Sequence, residues 1–304
     1  MSVADIVFGF SGDSVVDGGA DLLRIAAQAD RDGLDIFSVP DHPYLGDRLD
    51  AYATIAFVLG RTERLAGFAN VSNLPTRPAA MLARTVTSLA ALSGDRIVLG
   101  MGAGGRWDRI ADLGVAPLSP GEAVDAFEEA IVLIKKLSGG GPAITHEGKH
   151  YSVRDIAPAP IAAPPVWTGS VGRKSLAATG RLADGWIPGH AADWLSERYR
   201  DGRTIIDEAA ASVGREPGDI RTIFNFPGQI SDNPLPATRD QDGRWIGGSV
   251  EQWIEELTGA VLDHGASGFT LFSPTWGIPD LTSIGRWGSE IAPAVREAVA
   301  KQRG

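Results

Sequence analysis

Asp41 and His42 stand side by side at the end of a short apolar run. A histidine beside a carboxylate can shuttle protons near neutral pH, because imidazole changes charge there. The pair reads as an acid/base centre, with His42 moving the proton and Asp41 orienting it. The plainer alternative is an aspartate capping a turn and a histidine packed on a rim. Gly169-Ser170-Val171-Gly172-Arg173-Lys174 follows another apolar run and opens a helical pattern. Free backbone N–H groups at a helix start, with small residues that admit a ligand, make an anion site. An ordinary turn with two solvated cations would use the same residues. Gly100-Met101-Gly102-Ala103-Gly104-Gly105 holds four glycines in six residues. Such density lets backbone approach something flat or bulky, although tight strand–helix packing also uses glycine. Trp107, Trp167, Trp186 and Trp276 fall in or just after apolar runs, where they could wall a planar ring or fill a core.

The elements that must position these residues alternate strictly. Strands are expected at Ile6–Phe10, Asp35–Val39, Leu65–Val71, Arg96–Met101, Val166–Thr168, Asp184–Pro188, Ile220–Phe226 and Gly268–Phe272. Helices are expected at Ala20–Asp32, Tyr52–Gly60, Ala79–Leu92, Gly121–Leu137, Lys174–Leu182, Ala192–Val213, Val250–His264 and Leu281–Ala300. Ala143–Val153 reads as a hairpin excursion, and the Pro-, Gly- and Asp-rich residues 227–248 as a long loop. Eight strand–helix units imply a parallel sheet, and in a chain of 304 residues they favour a single closed (β/α)8 barrel of TIM type, one domain over 1–304. An open doubly wound sheet has less support: Phe10-Ser11-Gly12-Asp13 lacks the Gly-x-Gly-x-x-Gly turn of a nicotinamide site. Active sites of such barrels lie at the C-terminal ends of the strands. That rule nominates Ser11, Asp41, His42, Asn70, Ser72, Arg77, Gly102 to Trp107, Gly169 to Lys174, His190 and Trp276.

Composition excludes several functions. The formal net charge is −10 and the pI about 5.0, which argues against a nucleic-acid face, since that rests on neutralising phosphates. There are no cysteines, so disulfides, thiolate catalysis and thiolate metal sites are out, in keeping with a cytoplasmic setting. No apolar run approaches a membrane span, the N-terminus shows no signal-peptide pattern, and no His/Asp/Glu group has metal-ligand spacing.

Four segments, in order on their strands, resemble the luciferase-like flavin-dependent oxidoreductases, most of all the branch using the deazaflavin coenzyme F420. They are Ala29-Asp30-Arg31-Asp32-Gly33-Leu34-Asp35 leading to Asp41-His42; Val71-Ser72-Asn73-Leu74-Pro75-Thr76-Arg77; Leu92 through Gly104; and Thr179-Gly180-Arg181-Leu182-Ala183-Asp184-Gly185-Trp186. The resemblance implies a cofactor ring over the strand ends, near Asp41 and His42. It implies a non-proline cis peptide after the third strand, placed at Asn70-Val71 and pressed against the ring. Asn70, Val71, Ser72, Gly102, Ala103, Gly104 and Gly105 would line the cofactor, and Gly169, Ser170, Val171, Gly172, Arg173 and Lys174 would hold its phosphate. It also implies a homodimer. Two departures stand out. F420 relatives often carry an acidic residue where this chain has Gly105, and the Arg-x-Pro pattern is shifted to Arg77-Pro78.

The expectation is hydride transfer between F420 and a small organic substrate, with His42 as acid/base and Ser11, Trp107, His190 and Trp276 shaping the substrate side. An FMN-dependent monooxygenase is the alternative. A barrel that binds a flavin without catalysis is the third, and the missing acid at Gly105 allows it.

Overall fold

The computed structural model describes residues 6–189 and 193–304. Its strands are β1 Val7–Ser11, β2 Ile36–Val39, β3 Ala66–Ala69, β4 Ser72–Asn73, β5 Leu99–Gly102, β6 Ile144–Glu147, β7 Ser152–Ile156, β8 Val166–Thr168, β9 Gly185–Trp186, β10 Arg221–Pro227, β11 Gln229–Ser231, β12 Gly247–Ser249 and β13 Gly268–Phe272. Its α-helices are α1 Gly19–Arg31, α2 Ala51–Leu59, α3 Ala79–Ser93, α4 Trp107–Ala111, α5 Pro120–Lys136, α6 Arg173–Leu182, α7 Glu197–Ala211, α8 Val250–His264, α9 Leu281–Arg286 and α10 Ala292–Arg303.

One parallel sheet runs in the order β3-β2-β1-β13-β10-β9-β8-β5-β4. β3 and β4 are two pieces of one barrel strand, so its two ends meet. β4 pairs with β5 through Ser72 opposite Met101, and Gly67 of β3 bridges Ile97 just before β5. The nine pieces are eight barrel strands in a closed ring, as the alternation of the sequence predicts.

Two cores hold it. Inside the ring, Val7, Ile36, Ala66, Phe68, Val98, Trp167, Ile187 and Ile223 pack together. Outside it, the second face of every strand packs on the helices, for example Phe8, Phe37, Leu99 and Phe224 against Leu22, Val58 and Ile131. Buried apolar area on both faces is the main stabilising term, at about 25 cal/mol per Å².

Local signals fix the helix ends. Ser119 caps α5 through the Glu122 amide while Glu122 reaches back to Ser119, and Ser249 with Gln252 does the same for α8. Gly94 (φ 69°) and Gly265 (φ 69°) end α3 and α8 in the left-handed conformation. Among the described residues no helix is long and apolar enough to cross a membrane.

Four expectations need correction. The strand read as Leu65–Val71 is broken, with β3 ending at Ala69 and β4 resuming at Ser72. The residues read as a loop at 227–248 contain a parallel ladder, β11 with β12, tied by Gln229 opposite Gly247. The final helix is interrupted by a π turn over Trp287–Ile291, which seats the buried Trp287 so that its Nε1 donates to the Gly9 carbonyl (2.9 Å). The helix expected to start at Ala192 starts at Glu197, capped by Ser196, and residues 190–192 lie outside the described residues.

Candidate active site

Side chains that enter a barrel lumen recur at every second residue. From the apolar lumen residues Val7, Ile36, Phe68, Val98, Trp167 and Ile223, that alternation climbs to Ser11, Ser38, Asn70, Gly102, Gly169 and Asn225. The top layer is therefore polar or small, whereas the layer below is apolar. Its polar members are linked. Asn70 Nδ2 donates to Asn225 Oδ1 (2.9 Å) and Ser38 Oγ (3.3 Å), and Ser38 Oγ donates to Ser11 Oγ (3.1 Å).

The peptide between Asn70 and Val71 is cis, at the position the resemblance implies. Val71 projects over the lumen between two glycines. Its Cγ2 lies 2.7 Å from where a Cβ on Gly102 would stand and 3.1 Å from one on Gly169. A Cβ at Gly102 would force Val71 to move, and one at Gly169 would press against it. Above this floor opens a cavity of about 580 Å³, within the size range of small-ligand sites. It brings together Ser11, Asp41, His42, Asn70, Val71, Ser72, Gly102, Ala103, Gly104, Gly105, Gly169 and Trp276. The floor is a ridge of valine flanked by side-chain-free backbone.

Asp41 and His42 follow β2, after Pro40, but they do not bond to each other. The Asp41 carboxylate is buried and fully engaged. Arg77 clamps it through Nε–Oδ2 and Nη2–Oδ1, both 2.7 Å, and the Asn73 amide donates to Oδ2 (2.9 Å). Arg77 Nη2 also reaches Asp50 Oδ2 (2.7 Å), and its guanidinium lies over the Tyr52 ring, 4.9 Å from the centroid. The expectation that Asp41 orients His42 is thus corrected: a bidentate arginine takes the oxygens the imidazole would need. Asp41 acts on His42 through its charge alone.

His42 stands at the cavity mouth, and its Nδ1 lies 2.9 Å from the Tyr44 hydroxyl. Its pKa is lowered, first by partial burial against the rim, then by the positive charges of Arg48 and Arg106 working against Asp41. Both effects shift the balance toward the uncharged imidazole.

The remaining candidates separate. Ser170 is buried in the wall: its Oγ accepts from Thr179 Oγ1 (3.0 Å) and its carbonyl from Trp186 Nε1 (2.9 Å). Val171, Gly172, Arg173 and Lys174 are exposed beyond Gly169 and do not line the cavity. Gly172 caps α6 without a side-chain hydrogen bond, which leaves that helix start open. Trp107 opens α4 and packs on Gly104, outside the lining. Trp167 and Trp186 belong to the core. His190 lies outside the described residues. Among the described residues no cluster of three His, Asp or Glu is placed to hold a metal.

Sequence reasoning missed Tyr44, Arg48 and Asn225. A signal for Asn225 was present, since it is the one polar residue inside the apolar run Ile223-Phe224-Asn225-Phe226. Asn225 also lines a second, smaller chamber of about 270 Å³, covered by the excursion between β10 and α8. Trp276, at φ +64°, is a wall common to both cavities.

The fold is a closed parallel barrel with a glycine-floored cavity at its C-terminal mouth. The chain belongs to the luciferase-like monooxygenase family, whose profile matches residues 6–268, and as a member it is an oxidoreductase. Among curated proteins it is 28% identical over 240 residues to an F420-dependent glucose-6-phosphate dehydrogenase of Nakamurella multipartita, covering 74% of this chain and 68% of that one. It is 30% identical over 155 residues to a phthiodiolone/phenolphthiodiolone dimycocerosates ketoreductase of Mycobacterium bovis. That match covers 49% of this chain and only 39% of the ketoreductase. Among solved structures, an F420-dependent secondary alcohol dehydrogenase in complex with an F420-acetone adduct superposes with a TM-score of 0.79 at 17% identity, over 96% of this chain and 99% of that one. At that identity the likeness speaks for the fold.

Proposed function

We propose that this protein binds coenzyme F420 and transfers hydride between it and a small organic substrate. The observation that carries the reading is the floor of the large cavity: Val71 seated between Gly102 and Gly169, with His42 at the mouth. Bound there, the deazaflavin supplies a carbon centre that exchanges hydride and resists oxygen. Asn70, Val71, Ser72, the Gly102–Gly105 backbone and Gly169 cradle the ring, with Asp41 bracing the wall. The open start of α6, at Val171 through Gly172 to Arg173 and Lys174 beside the buried Ser170, would hold the phosphate. Ser11 and Trp276 face the substrate.

His42 supplies the acid/base group. Because its pKa is lowered, it enters the reaction as a base. It would exchange the proton of a substrate hydroxyl, and the deazaflavin, when bound, would exchange the hydride of the adjacent carbon, which balances alcohol against carbonyl in either direction. Tyr44 positions the ring through Nδ1.

Fluorescence titration of the cofactor-free protein with F420 and with FMN tests the cofactor. Tighter binding of F420 supports the reading. Tighter binding of FMN, with oxygen uptake on adding reduced FMN, replaces it with the monooxygenase alternative. His42→Ala is expected to bind F420 normally and to lose about 10²–10⁴-fold in turnover. Full turnover in that variant would remove His42 from the mechanism.

A further inference from the structure

The small chamber under the excursion between β10 and α8 carries a substrate class. Phe226, Trp245, Ile246 and Trp276 give it apolar walls. Phe226 and Trp245 are stacked, with centroids 5.8 Å apart at an interplanar angle of 19°. Every charge on its lining is committed to the protein itself. Asp193 pairs with Arg239, Asp240 accepts the backbone amides of Asp242 and Arg244 (both 2.9 Å), and the Arg244 guanidinium lies 3.9 Å from Asp242. The arginine on the lining, Arg244, already has Asp242 beside it, so among the described residues an anion finds no unpaired cation there.

Asn225 supplies the polar group. Its Oδ1 is used, because Asn70 Nδ2 donates to it, and this fixes the amide with Nδ2 on the other side. Nδ2 has no partner among the described residues, although Asn225 is only 8% exposed. A donor left open on a cavity lining can take an acceptor from whatever fills the cavity. The same amide pair links the chamber to the floor of the cofactor cavity, since Asn70 precedes the cis bond.

We propose that this chamber holds the non-reacting part of the substrate, and that it selects an uncharged, mainly apolar group bearing a hydrogen-bond acceptor oxygen, held by Asn225 Nδ2. Assigning the occupant as substrate rests on the hydride-transfer reading above; the chemistry of the pocket stands on its own lining. A sugar phosphate is unsuited to it.

The test uses cyclohexanone, cyclohexanecarboxylate and cyclohexylammonium as probes, titrated into the full chain and followed by tryptophan fluorescence, since Trp245 and Trp276 line the chamber. Saturable binding of cyclohexanone, at least 10-fold tighter than either ion, is expected. Asn225→Ala should weaken it about 10-fold, as expected for one lost hydrogen bond of typical strength. Ile246→Trp, at a position 42% exposed and so tolerant of bulk, should fill the chamber and abolish it while F420 affinity stays unchanged. Carboxylate binding as tight as cyclohexanone, or cyclohexanone binding indifferent to Ile246→Trp, would overturn the inference. F420 binding without cyclohexanone binding sinks the chamber and leaves the cofactor reading intact. Cyclohexanone binding blocked by Ile246→Trp, in a protein that takes neither F420 nor FMN, upholds the chamber and sinks the cofactor reading.

Discussion

Replacing Arg77 with Met separates a bracing role for Asp41 from a chemical one. The Asp41 side chain is 1% exposed and Arg77 18%, and the pair is bidentate. Methionine keeps much of the length and removes the charge, leaving the carboxylate buried with the Asn73 amide as its remaining donor. Breaking a buried pair from one side costs about 3–5 kcal/mol. With an unfolding entropy of about 2.1 cal/mol/K per residue over 304 residues, that lowers Tm by roughly 5–8 °C. Asp41→Asn in the same chain removes the stranded charge and keeps an oxygen for Asn73, so the double variant should regain at least half of the loss. Differential scanning calorimetry of wild type, both single variants and the double variant closes the cycle. A Tm for Arg77→Met within about 1 °C of wild type, with F420 affinity lost, would refute the bracing role and move Arg77 and Asp41 into ligand binding.

Three further outcomes are expected. Gly102→Ala places a Cβ 2.7 Å from Val71 Cγ2 and must push the ridge into the cavity; F420 affinity should fall at least 10-fold by titration, and pairing it with Val71→Ala should restore most of it. Arg48→Met or Arg106→Gln removes a charge that disfavours the protonated imidazole of His42, so its pKa rises and the acid limb of the pH–rate profile moves to higher pH. That shift should shrink in high salt, and an unmoved limb would mean that it does not report His42. Arg239 pins the excursion to Asp193 and Glu256, so Arg239→Met should cost roughly 2 kcal/mol and open residues 232–244 to limited proteolysis while the barrel stays folded.

Much of this was legible because both periodicities are strong. Val166–Thr168, Val250–His264 and Gly268–Phe272 fall where apolar alternation and capping place them. The resemblance located the cis bond, which no periodicity reports, and periodicity alone read straight through it. Two motifs that carry the resemblance also have structural work away from the cavity. The Asp30 carboxylate takes the amides of Glu63, Arg64 and Leu65, and Arg96 holds the carbonyls of Leu59 and Leu65, at the N-terminal ends of the strands. What stayed hidden depends on distant pairing. Adjacency suggested that Asp41 serves His42, yet its partner is 36 residues on. Asn225 meets Asn70 across 155 residues, and only a closed ring brings them together. The β11–β12 ladder escaped notice because its second strand, Gly247-Gly248-Ser249, carries no apolar alternation.

Closing that ring joins the start of the chain to nearly its end. β13 slots between β1 and β10, with Val7 and Ile223 both opposite Gly268, while Arg296 on α10 reaches back to Asp35 and the Ile6 carbonyl. A nascent chain that has emerged from the ribosome through β10 therefore carries two unpaired parallel edges, β1 and β10. Such edges template association with other chains. The sheet is sealed only when residues 268–272 arrive, so translation that stops short of them releases an open, sticky arc, not a smaller working barrel. Expression yield should thus depend on how quickly the message for residues 228–272 is read.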